Sequence, residues 1–237
     1  MLTMPPVFDV WLIAHLAMLW GRSPTFDLMV QQSVAYGVLG GLWYAGVLFL
    51  FWVQGAQPGQ QEVRRHTLTI ALGSLVAALL TVVAARAVSW APPSAHPELA
   101  GLYPEDFPVN LNATSFPSQS TALYAAVTAG IYSLRRTLGM WAWMGVGVLV
   151  ALPHMYLGGH YLTDVLAGLV AGLGGYWVAI LLGARVGSWW KTAFEYQWGH
   201  WQRTLAECAV FLWILQVATE FRHVVWIADV LASLWRG

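Results

Sequence analysis

Residues 153–168, PHMYLGGHYLTDVLAG, decide how this chain folds, because they end one hydrophobic run and begin the next. Within them His160 stands four residues before Asp164, at the predicted start of a helix near Thr163. That spacing can bring a carboxylate to an imidazole N–H, which prepares a histidine for nucleophilic or acid–base chemistry. The simpler interpretation is an interfacial histidine and an aspartate that favours the positive end of a helix dipole. From the spacing alone, the simpler interpretation is favoured.

The composition is that of a membrane protein. Of 237 residues, 58% are hydrophobic and only 9% are charged, whereas a soluble domain carries roughly a quarter charged residues. The 11 basic and 11 acidic residues balance, which removes any electrostatic case for binding nucleic acid. The single cysteine, Cys208, excludes an internal disulfide framework and a cysteine-based metal site. We therefore expect neither a metal nor a cofactor.

The hydrophobic pattern predicts an all-α, polytopic membrane helix bundle with about six transmembrane helices. The predicted spans cover residues 34–52, 67–88, 119–134, 140–156, 163–182 and 204–219. Interfacial helices are expected at both ends, over residues 7–20 and, on the far surface, 220–235. Ser23 and Pro24 are typical of an N-cap followed by a first-turn proline. In the fifth span, Gly168, Gly172, Gly174 and Gly175 should permit close helix contact.

The basic residues predict how these spans are oriented. Most of them fall in the segments on one side of the predicted bundle: Arg64, Arg65, Arg135, Arg136, Arg185, Lys191 and Arg203. The positive-inside rule makes that side cytoplasmic. Both termini, the polar loop at 89–118, and the stretches SFPSQST (115–121) and PHMYLGGH (153–160) then lie at the outer face. Two polar stretches far apart in sequence are thus predicted to share one membrane face, which favours a site there.

With these motifs the sequence resembles the type-2 phosphatidic acid phosphatase family, membrane enzymes related to the vanadium haloperoxidases. The resemblance covers nearly the whole chain and rests on GRSPTFD (21–27), HPEL (96–99), SFPSQST (115–121), YLGGHYLTDVLAG (156–168) and ATEFRHV (218–224). It implies one integral-membrane domain over residues 1–237 with an outer-face loop at 89–118. It also implies a location in a bacterial inner membrane, with the site facing the periplasm.

The resemblance implies a role for each matching residue. In the family a histidine attacks phosphorus and an aspartate four residues later orients it, which matches His160 and Asp164. A serine and the amides of a helix start bind phosphate, which matches Ser118 and Gln119. The family's proton donor is a histidine two residues after that serine, but here Ser120 stands in its place.

The family's cationic residues are also replaced. His154 stands where an arginine precedes the nucleophile by six residues. The first motif, Lys-x6-Arg-Pro, aligns with Ala85, Pro92 and Pro93, so Arg86 (one place off) and His96 remain as substitutes. Phosphoryl transfer depends on positive charge around the equatorial oxygens. A missing proton donor costs about 10²–10⁴ in rate and a missing electrostatic contact about 10²–10³.

These departures leave two functions open. The first is a divergent phosphatase-like protein that binds a lipid phosphate or polyprenyl (di)phosphate headgroup at the outer face, with ordinary phosphatase activity weak or lost. The second is an active phosphohydrolase or phosphotransferase on such lipids, with His160 as nucleophile and a phosphohistidine intermediate. A non-catalytic subunit of a membrane assembly is a variant of the first, with a membrane-protein partner or a second copy of the chain bound to it.

Overall fold

The computed structural model describes residues 6–36, 38–88, 90–103, 114–195 and 200–220. Within these ranges the regular structure is entirely helical. The helices are α1 (Val7–Ala17), α2 (Pro24–Tyr36), α3 (Val38–Gln54), α4 (Gln61–Ala87), α5 (Gln119–Leu134), α6 (Arg136–Gly145), α7 (Leu152–Tyr156), α8 (Leu162–Glu195) and α9 (His200–Ala218). A π-helical segment, Val146–Ala151, joins α6 to α7, and short 3-10 turns lie at Pro93–Ala95 and Ala100–Leu102.

Every predicted span coincides with a helix, although several boundaries differ. The third span matches α5 residue for residue, and α2 begins at Pro24 as the N-cap pattern predicts. The first span was placed too early, because α3 begins at Val38 and the residues before it belong to α2. Helix α4 begins at Gln61, within the segment expected to be a loop. There the polar residues before position 67 extend the helix by more than a turn beyond its apolar part.

The chain is an integral membrane protein, but a count of six spans is not confirmed. Three described helices are long and apolar enough to cross a membrane: Gln61–Ala87, Arg136–Tyr156 and Leu162–Gly183. A fourth is obtained if Pro24–Ala35 and Gly40–Gln54, which meet at 45°, form one bent span. The remaining predicted spans are short: α5 has 16 residues, and the apolar part of α9 is limited to Thr204–Ala218.

Helix α5 forms the centre of the bundle, because nearly every residue from Ser120 to Ile131 is buried against α4, α6 and α8. Close approach of α8 depends on its glycines. A Cβ at Gly172 would lie 2.4 Å from the Ala122 carbonyl oxygen. At Gly175 it would lie 2.6 Å from the Ala77 nitrogen. The close contact predicted for Gly174 is wrong, since the nearest atom to its Cβ would be 4.0 Å away.

Two buried aspartates from the N-terminal helices hold the turn between α7 and α8 in place. The Asp9 carboxylate accepts hydrogen bonds from the Thr163 hydroxyl and, at 3.4 Å, from the Thr163 N–H. It therefore caps the positive end of α8 from a neighbouring helix. The Asp27 carboxylate accepts from the Tyr156 hydroxyl, and from the Gly21 N–H at 2.9 Å. Helices α1 and α2 thereby hold both ends of the turn that carries His160.

The outer loop packs onto the same turn. The Ser94 N–H donates to the Gly158 carbonyl at 3.0 Å, and the Ser115 N–H donates to the Trp90 carbonyl at 2.9 Å. Gly158 has a φ of +65°, and a Cβ there would lie 2.6 Å from the ring of Tyr103. Both the backbone conformation and the close approach of the tyrosine therefore require glycine at this position.

Candidate active site

His160 lies in the turn between α7 and α8, and its ring is anchored by the backbone. Its Nδ1–H donates to the Ser115 carbonyl at 2.7 Å. Because a carbonyl can only accept, Nδ1 carries the proton and Nε2 of the neutral ring has a lone pair. Burial and the neighbouring His154 lower the pKa of His160 to about 3, although the Ser115 bond acts in the opposite direction. The ring is therefore neutral at physiological pH, with 17% of the side chain still exposed.

Asp164 is fully buried and does not form the predicted hydrogen bond to His160. Its Oδ2 lies 3.9 Å from His160 Nδ1, which is too long for a hydrogen bond. Oδ2 instead accepts from the Tyr161 N–H at 2.7 Å and so caps the first turn of α8. The Nδ1–H of His160 already donates to the Ser115 carbonyl, so it is not available to Asp164. Asp164 remains close enough to interact electrostatically with a positively charged His160.

Ser118 caps α5, and its backbone connects the two helices of the site. Its N–H donates to the Asp164 carbonyl at 3.0 Å. Its hydroxyl pairs with the Thr121 hydroxyl at 2.9 Å and accepts from the Thr121 N–H at 3.4 Å. The side chain is completely buried. Ser118 therefore acts as a helix cap in this arrangement, and the adjacent start of α5, at Gln119, supplies the positive end of the helix dipole.

Ser120 and His154 meet beside His160, together with a residue that sequence reasoning did not include. Ser120 Oγ lies 3.5 Å from His154 Nε2 and donates to Glu220 Oε2 at 2.7 Å. The His154 Nδ1–H donates to the Val150 carbonyl at 2.8 Å. The rings of His154 and His160 are 5.7 Å apart, centroid to centroid. Ser120, His154, His160 and Glu220 thus form one cluster, which we call the His160 cluster.

Glu220 makes a contact that the sequence did not predict. It was expected to begin an amphipathic helix over residues 220–235; it follows α9 directly, and its carboxylate lies at the Ser120 end of α5. The remainder of that predicted helix, residues 221–235, lies outside the described residues. The ATEFRHV stretch marked this region, but nothing in it indicated a contact with Ser120. A turn after α9 is what brings the two together.

Arg86 and His96 are not joined to the cluster by any contact among the described residues. Arg86 is exposed in the last turn of α4. His96 follows the first 3-10 turn, where its Nδ1 accepts from the Glu98 N–H at 3.4 Å. Among the described residues, the titratable side chains that meet at the site are two histidines and two carboxylates. Within the described ranges, no group of three or more such side chains is arranged to hold a metal ion.

This arrangement suits chemistry at an electrophilic centre. The cluster combines an imidazole with an available lone pair, a second imidazole, a carboxylate and the positive end of a helix. It lies at the outer end of the two helices whose small residues allow close packing. The site therefore combines side chains that could act as nucleophile and as proton donor, beside a helix terminus that could bind an anion.

The sequence profile of the PAP2 superfamily matches residues 66–188, more than half of the chain, and the chain belongs to this superfamily. The fold is similar to that of LpxE from Aquifex aeolicus, with a TM-score of 0.55 and 15% identity over 76% of this chain and 99% of that one. A PAP2-type phosphatidylglycerolphosphate phosphatase from Bacillus subtilis covers 75% of this chain and 85% of its own, with a TM-score of 0.48 and 19% identity. No curated protein sequence matches the chain.

Proposed function

We propose that this chain binds the phosphate headgroup of a membrane lipid or polyprenyl (di)phosphate at the His160 cluster and hydrolyses it slowly. The observation that carries the proposal is the state of His160, whose Nδ1–H is held by the Ser115 carbonyl. Nε2 is therefore free to attack phosphorus, and the low pKa keeps the ring unprotonated. Membership of the PAP2 superfamily supports a phosphate ester as the electrophile.

Turnover is slow in this proposal because the described part of the site is short of positive charge. Ser120 and His154 occupy the positions at which the family has its proton donor and one of its arginines. The described groups around them include the carboxylates of Asp164 and Glu220. Negative charge on the transferring phosphoryl group is then stabilised mainly by the start of α5 and by His154 when it is protonated.

The proposed location is a bacterial inner membrane, with the cluster facing the periplasm. The Arg and Lys residues at the opposite ends of the helices support this orientation. A lipid reaching the cluster from the outer leaflet would present its phosphate at the outer end of α5. The substrate class follows from this geometry: a phosphate group attached to a lipid or polyprenol that remains in the bilayer.

The test is phosphate release by purified protein, with dioctanoyl phosphatidic acid and undecaprenyl diphosphate assayed in parallel. We expect a slow rate that His160→Ala abolishes. The variant His154→Arg should be at least about tenfold faster, because one restored electrostatic contact can contribute about 10²–10³. Release that is unaffected by His160→Ala would disprove the nucleophile. Binding of both lipids without release in any variant would favour the non-catalytic alternative, in which the chain serves as a subunit of a membrane assembly.

A further inference from the structure

Glu220 occupies a backbone conformation that glutamate rarely adopts. It lies just beyond α9, its N–H donates to the Val217 carbonyl at 3.3 Å, and its φ is +54°. Helices commonly end with such a left-handed residue, but that residue is usually glycine or asparagine. A side chain with a Cβ is strained in this conformation, because the Cβ approaches the following carbonyl oxygen too closely. Folding alone would therefore favour glycine at position 220.

The end of α9 is held firmly enough to direct this side chain. The Tyr124 hydroxyl of α5 donates to the Val217 carbonyl at 3.1 Å. A Cβ on Gly41 of α3 would lie only 1.9 Å from the Ala218 carbonyl oxygen, so α3 packs directly on the same turn. Two helices thus fix the backbone from which the Glu220 side chain extends to Ser120.

Serine at position 120 leaves space that the Glu220 carboxyl group enters. Ser120 is 8% exposed, and its hydroxyl donates to Glu220 Oε2 at 2.7 Å. An imidazole at position 120 would extend a few ångströms past the serine oxygen, which is the distance at which the carboxylate lies. Glu220 is also outside the segment that matches the PAP2 superfamily profile. A residue from outside that segment thus fills the place of a side chain missing inside it.

We propose that Glu220 is the proton donor to the leaving oxygen, a role that rests on the function proposed above. His160 Nε2 forms a bond to phosphorus while the bond from phosphorus to the lipid oxygen breaks. That oxygen keeps the electron pair, takes the proton of the Glu220 carboxyl group and leaves as an alcohol. Water then attacks phosphorus, the N–P bond breaks with its electron pair returning to His160, and the water proton passes to the Glu220 carboxylate.

His154 is less suited to this role because of the proton it already holds. Its Nδ1–H is committed to the Val150 carbonyl, so Nε2 of the neutral ring faces the cluster as an acceptor. The phosphohistidine intermediate carries positive charge on the His160 ring, which the buried Asp164 carboxylate 3.9 Å away stabilises.

The experiment compares two leaving groups in the full-length protein. An alkyl phosphate, dioctanoyl phosphatidic acid, needs a proton on its leaving oxygen, whereas p-nitrophenyl phosphate releases an acidic phenol that does not. We expect Glu220→Gln to lower turnover of the alkyl phosphate by about 10²–10⁴, and of the aryl phosphate by less than about tenfold. Ser120→His, which places the family's donor in the same space, should recover alkyl turnover when added to Glu220→Gly, because glycine leaves that space open.

A folding control comes from the backbone itself. Glu220→Gly relieves the left-handed strain, so it should keep or raise the apparent melting temperature while losing alkyl turnover as Glu220→Gln does. Equal rates for Glu220→Gln and the unmodified protein on the alkyl phosphate, or equal losses on both substrates, would overturn the proton-donor role and leave the His160 reaction standing. If neither substrate is hydrolysed in a His160-dependent manner, the proposed function is disproved and the role of Glu220 with it.

Discussion

Replacing Gly168 by alanine should damage the site far more than the fold. A Cβ at this position would lie 2.5 Å from the Ser118 carbonyl oxygen and 3.1 Å from Thr121 Cβ. The carbonyl cannot turn away, because it accepts the Ala122 N–H at 3.1 Å within the first turn of α5. Ordinary contact begins near 3.4 Å, so α5 and α8 must separate by about 0.9 Å at the level of the site.

The expected loss of stability is modest. Overpacking of this kind costs about 1–3 kcal/mol, and the better helix propensity of alanine returns up to about 1 kcal/mol. A net loss of about 1–2 kcal/mol corresponds to roughly 3–6 °C in melting temperature for a chain of this size. The loss of activity is larger, since a misplacement of about 1 Å in a catalytic group can cost about 10²-fold. His160 and Ser118 lie on opposite sides of the separation.

Gly174 provides a matched control on the same helix. Its added Cβ would meet only Leu80 Cδ1, at 4.0 Å, so Gly174→Ala should gain up to about 1 kcal/mol and leave turnover unchanged. Heating each variant in detergent and measuring the monomer that survives by size exclusion gives the melting temperatures. Phosphate release under the conditions used for the unmodified protein gives the rates. If Gly168→Ala and Gly174→Ala behave alike in both assays, the close contact between α5 and α8 does not set the geometry of the site.

Three further measurements test the surroundings of the site. Asp9→Ala removes the cap on α8 and should cost about 1 kcal/mol, so an unchanged melting temperature would contradict that contact. The pKa of His160 falls from its ordinary 6.5 to about 3 on folding, so the unfolded chain takes up a proton that the folded chain does not. The free energy of unfolding should therefore decrease as the pH falls below 6.5, by about 2 kcal/mol at pH 5. His160→Gln should remove that decrease, and identical pH profiles for the two proteins would refute the low pKa. In a Cys208→Ala background, an impermeant thiol reagent applied to intact cells should label Glu98→Cys and not Ala56→Cys, and the reverse pattern would invert the topology.

Hydropathy and capping patterns predicted most of the helices because those signals are local. Gln119–Leu134 follows from the Ser118 cap and the basic pair at its end, and no distant contact is needed to place it. The predicted count of six spans is not confirmed, because α5 has only 16 residues and most of them are buried against other helices. The break before α3 was also missed, because the apolar sequence continues across it.

The site was only partly predictable from the sequence, because its contacts join residues that are far apart in the chain. His154, Ser120 and His160 could be grouped because the alternating direction of successive helices brings their ends to one face. The partner of His160 is a backbone carbonyl, at Ser115, and backbone atoms carry no residue-specific signal. Glu220 depends on a turn after α9 and on a contact across 100 positions in sequence. Only the folded chain shows that contact.

The short central helix also determines how deep the site lies. His66 Nε2 and Ser133 Oγ, 2.6 Å apart, place the inner ends of α4 and α5 at one level. From that level α4 rises about 31 Å to Ala87, whereas α5 rises only about 21 Å to Gln119, measured along each helix axis. A hydrocarbon core is about 30 Å thick, so if α4 crosses it along the membrane normal, the start of α5 lies about 10 Å below the level that α4 reaches. In that orientation a lipid phosphate would have to descend toward the acyl chains, or the leaflet would have to thin, before the phosphate met His160. The thickness of the bilayer would then be part of the binding equilibrium.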